Sequence, residues 1–105
     1  MPMTANGLAK LLEELGELAQ VAAKKLAYFD TDDHPDEKGS LKSRLEEEIA
    51  DVQAACDFVS TALELNAFAI AKRRGKKLLQ FHEWHNQPDN DADGFRSALE
   101  SSSHE

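Results

Sequence analysis

The chain has 105 residues, 41% of them hydrophobic, and a formal net charge of −8. That is one domain's worth of chain, too apolar for a disordered segment, and its charge argues against a polynucleotide or an anionic membrane as the main partner. The single cysteine, Cys56, rules out an internal disulfide and fits a reducing, cytoplasmic setting.

Leu, Ala, Glu and Lys dominate, and only three prolines and five glycines interrupt them, so helix is expected throughout. A first helix is predicted over residues 5–29 with Asn6 as its N-cap. Leu8, Leu11, Leu12, Leu15, Leu18, Ala19, Ala22 and Leu26 recur there at spacings of three and four, which draws one apolar stripe. Gly16 lies mid-helix, at a cost of roughly 1 kcal/mol relative to alanine, and so implies a close neighbour.

Residues 30–40 read as a loop, because Asp30, Asp32, Asp33, Pro35, Asp36 and Gly39 all favour turns. Ser40 caps a second helix over 41–65, with Leu41, Leu45, Ile49, Val52, Cys56, Val59 and Leu63 along one face. Cys56 is therefore expected to be inert core rather than a nucleophile. Asn66 starts a third helix over 67–85. Residues 87–94 form a polar linker, 95–99 a short helical turn, and 101–105 a frayed end.

No segment alternates over strand length, no stretch is long and apolar enough to cross a membrane, and residues 1–7 hold no apolar signal region. The expected fold is all-α, a bundle of three main helices plus a short C-terminal turn. Three amphipathic helices of this length leave apolar surface that a monomer struggles to cover, so a homodimer or a dimer of dimers is expected to complete the bundle.

The acids are the chemistry-bearing feature. The first helix contains Glu13-Glu14-Leu15-Gly16-Glu17 and the second Glu46-Glu47-Glu48-Ile49-Ala50-Asp51. Residues three apart project from one side of a helix, so Glu14 with Glu17, and Glu48 with Asp51, each present two carboxylates to one place. Winding the second helix at about 100° per residue sets Glu48 between Val52 and Ala55 and Asp51 beside Phe58 and Ala62. Both flank the apolar face, while Glu46, Gln53, Asp57, Ser60 and Glu64 face solvent. Glu14 likewise borders the leucine stripe. Carboxylates near a core are costly without a cation, and four convergent oxygen donors suit Mg²⁺ or Mn²⁺ rather than zinc. The competing reading is a solvated acidic face paired with Lys24, Lys25 or the third helix.

Glu13-Glu14-x-x-Glu17 followed by Glu48-x-x-Asp51 resembles the EExxE…ExxD signature of MazG-like nucleotide pyrophosphohydrolases. That superfamily includes dimeric dUTPases and phosphoribosyl-ATP pyrophosphohydrolases. The resemblance covers roughly residues 6–85 and extends to Glu14-Leu15-Gly16-Glu17-Leu18 and Leu45-Glu46-Glu47-Glu48-Ile49-Ala50-Asp51-Val52. It implies an all-α catalytic domain over residues 1–86, built into dimers, with 87–105 as linker and tail. It implies a Mg²⁺ site formed by Glu14, Glu17, Glu48 and Asp51, and hydrolysis of a nucleoside triphosphate between the α and β phosphates. Of these acids, Glu17 or Glu48 is the candidate to orient or deprotonate the attacking water. The family's lysine near the end of the third helix maps to Lys72 or Lys76.

Lys72, Arg73, Arg74, Lys76 and Lys77 place five positive charges within six residues. Lys72 and Lys76 share one side of the helix and are the favoured triphosphate contacts, with Lys24 and Lys25 secondary; a solvated face is the competing reading. His82 and His85 flank Glu83-Trp84 at a spacing that suits a metal, but Phe81 and Trp84 read as packing anchors with the imidazoles at the rim. No glycine-rich phosphate loop is present. Two rival readings stand beside the enzyme: a non-enzymatic helical interaction module, and, more remotely, a di-iron carboxylate protein, whose Glu-x-x-His pairs neither acidic motif supplies.

Overall fold

The computed structural model describes residues 3–86. These form three helices in order, α1 (Met3–Ala27), α2 (Leu41–Ala62) and α3 (Ala67–His85), and no strand occurs among the described residues. The expected linker at 87–94, the turn at 95–99 and the end at 101–105 lie outside them. The chain divides into two compact units at Leu65 and Asn66.

The first unit is a hairpin of α1 and α2. Gly7 lies against Phe58 and Val59, while Glu14 and Glu17 meet Glu48 and Asp51, so the helices run antiparallel. Its buried hydrophobics are Val21, Leu41, Ala55 and Val59, flanked by half-buried Leu11, Leu18, Leu45 and Val52. The seam uses only part of each predicted apolar face. On α1, Leu8, Leu12, Leu15 and Leu26 are exposed; so are Ile49 and Cys56 on α2 and Leu63 at its C-cap. Cys56 is therefore not core. The seam on α2 centres on Glu48, Val52, Ala55 and Val59, and helical winding turns Cys56 roughly 80° away from Glu48.

The glycines correct a second expectation. Nothing lies within 4 Å of a Cβ built at Gly16, whereas one at Gly7 would sit 3.0 Å from two Phe58 ring carbons. The close approach is at Gly7, where the two helices touch. Asn6 does not cap α1, because the helix already runs from Met3. At its other end α1 stops at Ala27 rather than 29. There Lys25 Nζ donates to the carbonyls of Phe29 (3.2 Å) and Thr31 (2.8 Å), a cation on carbonyls just past the helix C-terminus.

Ser40 caps α2 as expected, its side chain accepting from the Ser43 N–H. Asp32 braces the same end: its carboxylate accepts from the Lys42 N–H at 2.8 Å and from the Ser40 hydroxyl, and its carbonyl accepts from the Leu41 N–H. These contacts, led by the Ser40 hydroxyl and the Lys42 N–H, hold the Asp32 carboxyl below its ordinary range.

Helix α2 ends at Ala62 rather than 65. The Glu64 N–H reaches the Thr61 carbonyl, the Leu65 N–H reaches that of Ser60, and Glu64 has φ 54°. This is a Schellman termination with glutamate in the left-handed position that glycine usually takes. The second unit's described element is α3, whose N-cap Asn66 accepts from the Ala69 N–H at 2.9 Å. No residue of α3 is buried.

Candidate metal centre

Helix geometry brings the four predicted acids together. Glu14, Glu17, Glu48 and Asp51 each offer one carboxylate oxygen, and these oxygens all lie within 4.8 Å of one another. Among the described residues they are the one group of three or more ligand-type side chains so placed. Each helix contributes a half-buried glutamate, Glu14 or Glu48, and a more exposed acid, Glu17 or Asp51. Glu14 and Glu48 occupy seam positions that half-buried apolar residues hold one turn away, at Leu11, Leu18, Leu45 and Val52.

That placement is electrostatically unfavourable. Burial raises the carboxyl pKa of both Glu14 and Glu48, and the carboxylates of Glu17 and Asp51 raise each further. Glu14 Oε2 and Glu48 Oε2 are buried and have no hydrogen-bond partner. The nearest compensation is Lys10, whose Nζ lies 3.9 Å from Glu14 Oε1.

Lys72 and Lys76 are exposed on α3, within the second unit. Lys24 is engaged in the interhelical loop, with Nζ 2.9 Å from Asp36 Oδ2. Sequence reasoning did not foresee the cluster it joins. Arg44 donates to both oxygens of Asp36 at 3.1 and 3.2 Å, and His34 Nδ1 accepts the Asp36 N–H at 3.0 Å. Asp36 thus ties α1 to α2 at the closed end of the hairpin. Lys24 first, then Arg44, hold its carboxyl well below the usual range. The His34 and Tyr28 rings pack in a T-shaped arrangement, with centroids 4.9 Å apart.

Four carboxylates on two rigid helices, two of them with enclosed and unsatisfied oxygens, can hold a hard divalent cation and hydrogen-bond the water around it. No described helix is long and apolar enough to cross a membrane. Comparison of the chain with protein-family models, with curated proteins and with solved structures gives no match.

Proposed function

We propose that the chain is a Mg²⁺-dependent nucleoside triphosphate pyrophosphohydrolase, converting a (deoxy)nucleoside triphosphate and water to the monophosphate and pyrophosphate. The observation that carries this reading is the pair of buried, unpartnered oxygens, Glu14 Oε2 and Glu48 Oε2, inside the four-carboxylate cluster. A buried acceptor without a donor is costly, and more so when it is charged. An all-oxygen donor set fits Mg²⁺ or Mn²⁺. The motif resemblance supplies the reaction.

Glu14, Glu17, Glu48 and Asp51 would hold the ion. Bound there, it supplies neutralisation of phosphate charge and a lowered pKa for water. Glu17 or Glu48 would accept the proton of the attacking water as its oxygen bonds to the α-phosphorus; the bond from that phosphorus to the bridging oxygen breaks and pyrophosphate leaves. The helices fix the carboxylates before substrate arrives, so little reorganisation is needed. Pyrophosphate release from a nucleotide panel, with and without Mg²⁺, tests the proposal. Glu48→Gln is expected to abolish release while leaving helical circular dichroism intact; wild-type activity in that variant would sink the assignment.

A helical interaction module draws on a different observation. Leu8, Leu12, Leu15, Ala19, Ala22 and Leu26, spaced alternately four and three apart, are all exposed on α1. That is the spacing of a helix-packing seam. We propose that a second copy of the chain covers it, which makes self-association compatible with catalysis; without catalysis it would be the module's whole role.

A further inference from the structure

The hairpin carries a cation of its own at the mouth of the acid cluster. Lys10 stands one turn before Glu14 on α1, with Nζ 3.9 Å from Glu14 Oε1 and 3.3 and 3.4 Å from the two oxygens of Glu13. Among the described residues this is the one ion pair that reaches any of the four clustered acids. The Lys10 side chain is 61% exposed and that of Glu14 only 13%. The ammonium therefore lies on the boundary between solvent and the carboxylates. The two oxygens of Glu14 have different surroundings, since Oε1 has Lys10 beside it and Oε2 is buried without a partner.

Charge balance gives this lysine a task. Four carboxylates around one divalent ion still leave a negative centre, and a triphosphate adds further negative charge. An additional cation at the rim would lower the repulsion between the two. Lysine suits the place, because its compact charge rides on a flexible stem and binds phosphate as a point charge.

We propose that Lys10 is the hairpin's own contact for the anionic substrate, hydrogen-bonded to Glu13 and adjacent to Glu14 in the metal-free protein, and turning to phosphate oxygens once Glu14 serves as a metal ligand. This deepens the function proposed above and rests on it. It also makes Lys10 a competitor of the metal: its removal frees Glu14 for the divalent ion while depriving the triphosphate of a partner. The two effects have opposite signs, which a merely structural lysine would not produce.

The test uses the full chain as wild type, Lys10→Ala and Lys10→Arg. Melting temperature is followed through a MgCl₂ titration at fixed ionic strength, and pyrophosphate release is followed with whichever nucleoside triphosphate wild type cleaves fastest. Lys10→Ala is expected to reach its half-maximal Mg²⁺ response at a lower concentration. Its KM for the triphosphate should rise about tenfold with kcat within about twofold, the pattern of lost binding rather than lost chemistry. Lys10→Arg should keep most of the wild-type KM. Superimposable curves for wild type and Lys10→Ala in both assays would overturn the proposal and leave Lys10 a solvated helix pair. Parallel weakening of both would overturn it too, as the mark of a lysine that only holds Glu14 in place. If wild type itself neither responds to Mg²⁺ nor releases pyrophosphate, the underlying reading of the cluster fails, an outcome separable from the others because it needs no variant.

Discussion

The carboxyl groups of this hairpin shift in opposite directions. Asp36, held by Lys24 and the Arg44 fork, has its pKa lowered. Such a group contributes stability above its unfolded pKa of about 3.9, and the contribution is lost as pH falls towards the folded value. The melting temperature of Asp36→Asn should therefore lie below wild type at neutral pH, and the margin should close as pH falls below about 4. Glu14 and Glu48 have theirs raised, so their ionisation works against the metal-free fold at neutral pH. Asp51 contributes to both shifts. Asp51→Asn is expected to leave the metal-free protein as stable as wild type or more so, and to erase most of the rise in melting temperature on adding Mg²⁺. Parallel Mg²⁺ titrations for variant and wild type would remove the physical support for a metal centre. The acids were legible in the sequence because a three-residue spacing on a helix fixes their common side. The Asp36 cluster was not, because its partners lie 12, 8 and 2 residues away and are joined only by the path of the loop.

At the level of the element, the starts of α2 and α3 and the end of α3 could be read, whereas the start of α1 and the ends of α1 and α2 could not. Ser40 and Asn66 accept from the N–H three residues on, and both helix starts fall where expected. The end of α2 was missed because its left-handed residue is Glu64, which gives no glycine signal. The seam was missed in part because each helix carries a broad apolar arc, of which one partner helix covers only a portion. The two glycines of α1 make this testable. Gly16→Ala adds a methyl to open space and should stabilise by about 1 kcal/mol. Gly7→Ala has the same intrinsic preference but must push the Phe58 ring aside, so it should gain clearly less or lose stability. Urea denaturation of both variants compares them directly.

Across the whole molecule, charge and apolar surface are both unevenly shared. Residues 1–65 carry fourteen acidic and six basic side chains, whereas α3 carries five basic side chains against Glu83 alone. The hairpin buries few large side chains and exposes many, including Leu12 at 69% and Phe29 at 73%. Hydrophobic burial is the dominant favourable term in folding, so a second copy on the α1 stripe would add what the hairpin lacks. Light scattering at micromolar concentration is expected to give a dimer or tetramer for wild type and a smaller species for Leu12→Glu/Leu15→Glu. The melting temperature of wild type should rise with protein concentration. A monomeric wild type would count against the assembly. The all-α class was legible from composition and period, whereas assembly depends on which apolar residues the chain leaves uncovered, a property of the closed hairpin.

The carboxylate cluster also bears on how such a chain would drift. Acids placed at seam positions act against the metal-free fold, so under the proposed function selection for thermal stability and selection for the metal-dependent reaction would pull on the codons of Glu14 and Glu48 in opposite directions. In a gene copy released from the proposed reaction, replacements at positions 14 and 48 would be favoured early, because an apolar side chain there relieves repulsion and fills the seam at once. Retention of all four acids would then record continuing use.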